Sequence, residues 1–191
     1  MSSADLRPLL HAATGLFAFL LGVLPRALDL TGAVLGLLAG WVVIPASPLE
    51  ARLRRPGEPF LCGLRTYPLA VLGLVLLLPD ATAAAAWCVF AFGDAAASLV
   101  GRHLKAPALF GHPKATWSGS GAFVLVGTAV GWGAGTFVAA TGGSAAPALA
   151  PVVAAAFASA LVDLIRIPPD DNVPIAATAG LVLAAATGLL G

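Results

Sequence analysis

Residues 81 to 101 read ATAAAAWCVFAFGDAAASLVG, a stretch in which Asp94 is the only charged residue. A helix needs about 20 mainly apolar residues to cross a bilayer, so this stretch is predicted to be a membrane-spanning helix. Its apolar residues are continuous instead of alternating, and alanine outnumbers the β-branched residues, which disfavours a membrane-spanning strand. The stretch sets a pattern that recurs along the chain.

Six more apolar segments resemble it. The seven predicted spans are residues 9–24, 27–46, 66–79, 81–101, 118–140, 147–165 and 173–190. The third is short for a span and could be partly re-entrant. The chain is 59% hydrophobic and 10% charged, against about 25% charged in soluble domains. We therefore predict an all-α fold in which residues 1–191 form a single polytopic integral membrane bundle of about seven transmembrane helices.

The basic residues predict the orientation of this bundle. In a seven-span arrangement, nine of the ten lysine and arginine residues lie on one side, and Arg26 alone lies on the other. The nine are Arg7, Arg52, Arg54, Arg55, Arg65, Arg102, Lys105, Lys114 and Arg166. Loops rich in lysine and arginine stay cytoplasmic. We therefore predict a cytoplasmic N-terminus and a location in the cytoplasmic membrane. A nucleic-acid partner is not expected for this chain.

Small residues predict close helix packing. Gly127, Gly131 and Gly135 are four residues apart in the fifth span, and Gly93, Ala97 and Gly101 repeat the spacing in the fourth. Such ladders let helix backbones approach where lipid provides no hydrophobic drive for association. They predict a compact bundle, whatever its function.

Asp94 is the polar residue that most needs an explanation. It lies eight residues before Arg102, about 12 Å below the cytoplasmic end of a helix. An uncompensated acid at such a depth costs roughly 3 kcal/mol or more, which makes a functional role the default hypothesis. The alternative is a structural pair with a protonated Asp163 or with Arg166.

The loop after this span is basic and leads into a segment rich in hydroxyl groups. It carries Arg102 and Lys114, and the next helix starts with residues suited to binding phosphate through hydroxyl and backbone N–H groups: Thr116, Ser118, Gly119 and Ser120. Cations and a helix N-terminus together suit a polyphosphate. No GxxxxGK[ST] sequence is present. An anchoring loop of positive charge is the alternative interpretation, and Trp117 is interpreted as an interfacial anchor.

A third polar cluster follows the sixth span. Asp163 could simply pair with Arg166 three residues later. Asp170, Asp171 and Asn172 offer hard oxygen ligands for a divalent cation, although these residue types are also common helix caps. His11 is expected to be a buried histidine with satisfied hydrogen bonds, and the spacing of the histidines does not support a zinc site.

Three segments together resemble the CTP-dependent polyprenol kinase family, which includes dolichol kinase, phytol kinase and CTP-dependent diacylglycerol kinase and is related to phosphatidate cytidylyltransferase. They are residues 7–11 (RPLLH), residues 93–102 (GDAAASLVGR) continuing into residues 113–120 (PKATWSGS), and residues 170–174 (DDNVP). The resemblance implies that Asp94, Arg102 and Lys114 handle the nucleotide and its metal. Ser118 departs from the pattern, because many members carry an acid there.

The resemblance implies a single transmembrane lipid-kinase-like domain that transfers phosphate from CTP to the hydroxyl of a lipid alcohol, with Mg²⁺ as cofactor. Arg102 and Lys114 would bind phosphates, and Asp94 would bind the metal, with Asp170 or Asp171, or accept the hydroxyl proton. One alternative is a cytidylyltransferase acting on a lipid phosphate. Another is a non-catalytic transporter or scaffold. The alcohol, the preference for CTP over ATP and the oligomeric state stay open at this level.

Overall fold

A computed structural model describes residues 3–53, 62–104, 106–111, 115–165, 167 and 170–189. Within these ranges the chain forms eight α-helices: α1 Ser3–Gly15, α2 Arg26–Leu38, α3 Leu49–Leu53, α4 Cys62–Leu77, α5 Asp80–His103, α6 Trp117–Gly142, α7 Leu149–Asp163 and α8 Asn172–Ala186. A 3₁₀ turn, Leu16–Leu20, extends α1, and a π-helical turn, Ala39–Val43, extends α2. The described residues contain no strand beyond one isolated bridge between Ala108 and Thr116, so the predicted all-α fold is confirmed for them.

Three helical segments are long and apolar enough to cross a membrane: Arg26–Val43, Asp80–His103 and Trp117–Gly142. Four other apolar helices are shorter: Leu6–Leu20, Gly63–Leu77, Leu149–Asp163 and Asn172–Ala186. Each of the seven predicted spans therefore coincides with a helix, including the short third one. The number of segments that cross a membrane and the side on which the chain starts stay predictions.

The centre of the bundle is α5. Its first eleven helical residues after Asp80 are buried, and most are alanine. Because alanine is small, several neighbours approach this helix closely, and α5 packs against α1, α4, α6, α7 and α8. By contrast, α2 packs mainly on α4 and leaves large apolar side chains such as Leu28 and Leu35 exposed.

The most extensive interface between two helices is that of α5 and α6, and the predicted glycine ladders lie in it. A Cβ atom added to Gly127 would lie 3.1 Å from the Val89 carbonyl oxygen, and one added to Gly131 would lie 3.0 Å from the Ala85 carbonyl oxygen. A Cβ atom on Gly93 would lie 2.7 Å from the Phe123 ring. The two backbones therefore approach at distances that leave no room for a side chain at these positions. Gly133 lies on the same helix with open space around it.

Contacts between helix termini give the bundle two distinct ends: the start of α8 meets the start of α4, the end of α7 lies near Asp94 of α5, and the start of α6 meets the last turns of α5. One end is called the polar end. There α1, α4, α6 and α8 begin, and α5 and α7 end. It contains His11, Asp94, Asp163 and Asn172, contributed by four different helices. The opposite end, called the far end, contains Arg26 and Asp80. The polar end therefore gathers residues that are remote in sequence.

Candidate functional site

The centre of the polar end is a contact between His11 of α1 and Asp94 of α5. The His11 Nδ1 atom lies 3.3 Å from the Asp94 Oδ2 atom, and the two side chains are 10% and 21% exposed. His11 is thus buried and hydrogen-bonded, as the sequence predicts. Asp94 has a partner that the sequence did not predict, since Asp163 and Arg166 were the candidates. The partial exposure of Asp94 leaves its carboxylate accessible to a second molecule.

The contact joins a carboxylate to an imidazole, two groups that can accept and donate protons in catalysis. Whether Nδ1 donates or accepts the hydrogen bond depends on the tautomer and charge of His11. In either case the contact engages the Oδ2 atom of Asp94. A proton taken up by Asp94 could also be shared with His11.

A second acid lies near Asp94. Asp163, at the end of α7, interacts electrostatically with Asp94 and with Asp171. Through Asp163, the polar end therefore links Asp94 of the fourth predicted span with Asp171, which precedes the seventh predicted span. Like charges in a partly buried place repel one another unless a cation or a proton lies between them. Such an arrangement is common at functional sites.

The described residues include no group of three or more histidine, cysteine, aspartate or glutamate residues that could hold a metal ion. The predicted ligands Asp94, Asp170 and Asp171 therefore do not form one closed cage. Mg²⁺ in nucleotide-dependent enzymes commonly uses only one or two carboxylates together with substrate phosphates and water. The assignment of Mg²⁺ ligands stays a prediction.

Asp170 has partners of its own. The Thr66 hydroxyl on α4 lies 2.7 Å from Oδ1 and 2.6 Å from Oδ2, and the backbone N–H of Asn172 donates to Oδ1 at 3.1 Å. The Asn172 side chain donates to the Gly63 carbonyl at 2.9 Å and to the Thr66 hydroxyl at 3.0 Å. These contacts attach the start of α8 to the start of α4. Asp170 thus serves the start of α8 by accepting from the Asn172 N–H, whereas the N-cap residue Asp171 makes no side-chain capping hydrogen bond.

Arg7 belongs to the same group of side chains. A Cβ atom placed on Gly63 would lie 3.6 Å from Arg7 Nη1, 3.5 Å from Asn172 Nδ2 and 3.7 Å from Asp170 Oδ2. Arg7 and Asn172 are both 4% exposed. The RPLLH segment therefore contributes two residues to the polar end, because Arg7 and His11 are one helical turn apart on α1.

The start of α6 lies against the last turns of α5. Thr116 caps α6 by accepting a hydrogen bond from the Gly119 backbone N–H at 3.1 Å, and its hydroxyl lies 3.3 Å from the Ser118 hydroxyl. A Cβ atom on Gly119 would lie 3.0 Å from the Ala97 carbonyl oxygen, one turn beyond Asp94. The predicted phosphate-binding segment, including Ser120, is therefore at the polar end. Its Thr116 hydroxyl is engaged as a helix cap.

Arg102 and Lys114 are the two cations that the sequence assigned to phosphate. Arg102 is exposed, and its Nε atom donates to the Ser98 carbonyl of its own helix at 2.9 Å. Lys114 lies outside the described residues, as do Lys105, His112 and Arg166. The base of the loop is described and is closed by a hydrogen bond from the Leu109 N–H to the Ala115 carbonyl at 2.9 Å.

No protein-family model, curated protein or solved structure matches this chain. The resemblance to the CTP-dependent polyprenol kinase family therefore rests on the short segments quoted above. The function of the chain is inferred from its own residues and from the contacts among them.

Proposed function

We propose that this chain is a membrane-embedded kinase that transfers the γ-phosphoryl group of CTP to the hydroxyl of a lipid alcohol, either an isoprenoid alcohol or diacylglycerol. The observation that carries the proposal is the contact between His11 and Asp94. It provides a proton acceptor at the end of an apolar bundle, where a lipid hydroxyl can meet a water-soluble nucleotide. The long hydrocarbon chain of the substrate stays in the lipid.

In the reaction, Asp94 accepts the proton of the substrate hydroxyl. The alcohol oxygen forms a bond to the γ-phosphorus, the bond between that phosphorus and the bridging oxygen breaks, and CDP leaves with the electron pair. Phosphoryl transfer requires little covalent chemistry from the protein. It depends on the alignment of the alcohol oxygen with the γ-phosphate and on stabilisation of the phosphate charge. His11 holds the carboxylate in place and shares the proton.

The basic loop after α5 and the start of α6 supply the nucleotide-binding side. Arg102 and Lys114 bind phosphate oxygens, and the backbone N–H groups at the start of α6 face the same end of the bundle as Asp94. Contacts of Gly119 with α5 support this assignment, because they bring the first turn of α6 beside Ala97, which is one helical turn beyond the proposed proton acceptor Asp94. Ser118 and Ser120 would contact the nucleotide through their hydroxyl groups.

Mg²⁺ would enter this site bound to the nucleotide. Asp94 and Asp171 are the carboxylates that would complete its coordination, and Asp170 would do so only if it shared the oxygens that Thr66 contacts. When bound, the ion would neutralise negative charge on the phosphates. Asp163 would then face a cation as well as the other acids.

We further propose that seven segments cross the membrane and that the polar end faces the cytoplasm. The contacts between helix termini at the polar end support this, because they gather the starts of α4, α6 and α8, which follow the predicted cytoplasmic loops, at one end of the bundle. A cytoplasmic polar end also gives the site access to CTP. The far end then holds Arg26, the one basic residue that the orientation argument assigns to the opposite side.

The test uses the purified chain in liposomes with CTP labelled at either the α or the γ phosphorus. Phytol, a polyprenol and diacylglycerol are supplied in parallel. Transfer of γ label to one of these lipids supports the kinase. Transfer of α label to a lipid phosphate, with release of pyrophosphate, would instead identify a cytidylyltransferase. Folded protein that transfers neither label to any lipid would overturn both and favour a transporter or scaffold.

A further inference from the structure

Tyr67 of α4 is buried directly against His11. The two rings are stacked, with centroids 4.4 Å apart and planes inclined by 26°. The Phe90 ring of α5 is near both, 5.0 Å from the Tyr67 ring and 6.4 Å from the imidazole. The His11 side chain therefore contacts aromatic rings from two helices as well as Asp94.

The hydroxyl group of Tyr67 also acts on His11. It donates a hydrogen bond to the His11 carbonyl oxygen at 3.1 Å. It accepts a hydrogen bond from the Trp87 Nε1 atom at 2.9 Å. It also lies 3.1 Å from the Thr14 hydroxyl, whose single proton has the Leu10 and His11 carbonyl oxygens within reach at 2.8 and 3.0 Å. A phenolic hydroxyl has one donor and two acceptor positions, so its donor position and at least one acceptor position are occupied. A buried polar group that is hydrogen-bonded in this way defines one conformation.

One tyrosine thus holds both the backbone and the ring of His11. Rotation of the imidazole about its side-chain bonds would separate it from Tyr67, and a shift of α1 would break the hydrogen bond to the His11 carbonyl. Displacements of about 1 Å at a reacting group can lower a catalytic rate by about 100-fold. Contacts that prevent such displacements are therefore part of the catalytic arrangement even when they never touch the substrate.

We propose that Tyr67 is a positioning residue for the reaction, holding the His11 imidazole in the orientation in which its Nδ1 atom meets Asp94. This inference rests on the proposed function, because it assigns Tyr67 a role in the work of the His11 and Asp94 pair. The Trp87 indole and the Thr14 hydroxyl support Tyr67. They connect α5 and α1 through the same hydroxyl.

Two substitutions separate the contributions of the ring and the hydroxyl. Tyr67→Phe keeps the stacked ring and removes the hydrogen bonds of the hydroxyl group. Tyr67→Leu removes both. We expect kcat to fall about 5-fold in the first variant and about 50-fold in the second, with the KM for CTP unchanged within about 2-fold, because CTP does not contact Tyr67. Val71→Ala, one turn later on α4 and also buried, is the control for a general loss of packing and should keep the wild-type kcat.

A double substitution distinguishes positioning from mere stability. If Tyr67 acts through His11, adding Tyr67→Leu to His11→Gln should cause no more than about a 2-fold further loss of kcat, since residues that act as a unit are not additive. If the losses multiply, Tyr67 contributes only to folding and the proposal is wrong.

A spectroscopic measurement tests the inference even if lipid phosphorylation is never observed. Histidine-selective ¹⁵N NMR in micelles reports the state of the His11 ring, and the His11 signal is assigned by its disappearance in His11→Gln. Tyr67→Leu should shift or broaden that signal, whereas Val71→Ala should not. An unchanged signal in Tyr67→Leu would overturn the positioning role. A shifted signal in a protein without kinase activity would contradict the proposed function alone.

Discussion

The two ends of the bundle both contain charged residues, but they use them differently. At the far end, Arg26 Nη1 donates to Asp80, and Nη2 donates to the carbonyl groups of Val75 and Leu78 at the end of α4. This arginine therefore connects α2 to α4 and α5. At the polar end, Asp94 faces an imidazole and interacts with a second acid, Asp163.

The difference separates a structural contact from a candidate site. An arginine matched by a carboxylate and by helix-terminal carbonyls satisfies its partners within the fold. Acids that face one another gain nothing for stability, so their proximity indicates that something else, a proton or a cation, belongs among them. Substitutions at the far end should therefore change stability, and those at the polar end should change activity.

The largest effect should come from Asp94→Asn. The amide keeps the shape of the side chain but cannot accept the hydroxyl proton, so kcat for lipid phosphorylation should fall by a factor of roughly 10² to 10⁴. The labelled-CTP assay in liposomes measures it. The matched control is Asp29→Asn, which makes the same change in a buried acid of α2 near the far end and should keep activity within about 2-fold. Equal losses of kcat in the two variants would contradict the distinction between a structural far end and a functional polar end.

Gly131→Leu tests the interface that connects the two ends. A leucine there would meet the Ala85 carbonyl and the Val89 side chain, and overpacking should destabilise the fold by about 3 kcal/mol. Gly133→Leu, two residues away in open space, is the control. We expect a lower melting temperature and a low yield of monodisperse protein only for Gly131→Leu. Similar melting curves would mean that α5 and α6 are not packed as described.

His11→Gln should reduce kcat by a smaller factor, about 10 to 100, because Asp94 keeps its carboxylate and loses only the group that holds it. Circular dichroism should still report a folded helical protein. Activity as low as that of Asp94→Asn would indicate that the imidazole itself is the proton acceptor. Wild-type activity in His11→Gln would show that catalysis does not need the contact between His11 and Asp94.

The smallest effect should come from Arg26→Gln, which breaks the ion pair at the far end. Both partners are partly exposed, so we expect a loss of about 1 kcal/mol in the free energy of unfolding. Kinase activity should not change. A cycle with Asp80→Asn completes the test, since the double variant should be no less stable than Arg26→Gln alone. A loss of activity in these variants would show that the far end also belongs to the site.

Hydropathy alone predicted where the apolar helices lie. The fourth predicted span, residues 81–101, differs from α5 by only a few residues, because uninterrupted apolar residues and the flanking charges define both of its ends. The five-residue helix α3 was not predicted, since one turn and a half is too short to show a period. The third predicted span began four residues too late, because the first turn of α4 contains Gly63 and Arg65.

The partners within the site could not be predicted from the sequence. His11 and Asp94 are separated by 83 residues, and a single sequence does not say which helices are neighbours. The available signal was that both are ionisable residues in apolar segments and that each therefore needs a buried partner. The positions of Tyr67 and Trp87 beside His11 had no such signal, because aromatic residues are also common as packing or interfacial residues.

The contact between α1 and α5 has a consequence for biosynthesis. The helix that packs against α1 most extensively is made only after the intervening helices, and at about 5 to 20 residues per second Asp94 would be synthesised roughly 4 to 17 s after His11. During that interval Asp94 is absent, and the Trp87 side chain that hydrogen-bonds Tyr67 is made only shortly before it. A nascent chain stalled before residue 80 should consequently leave its first helix unprotected, as a substrate for membrane proteases or a client for insertion chaperones.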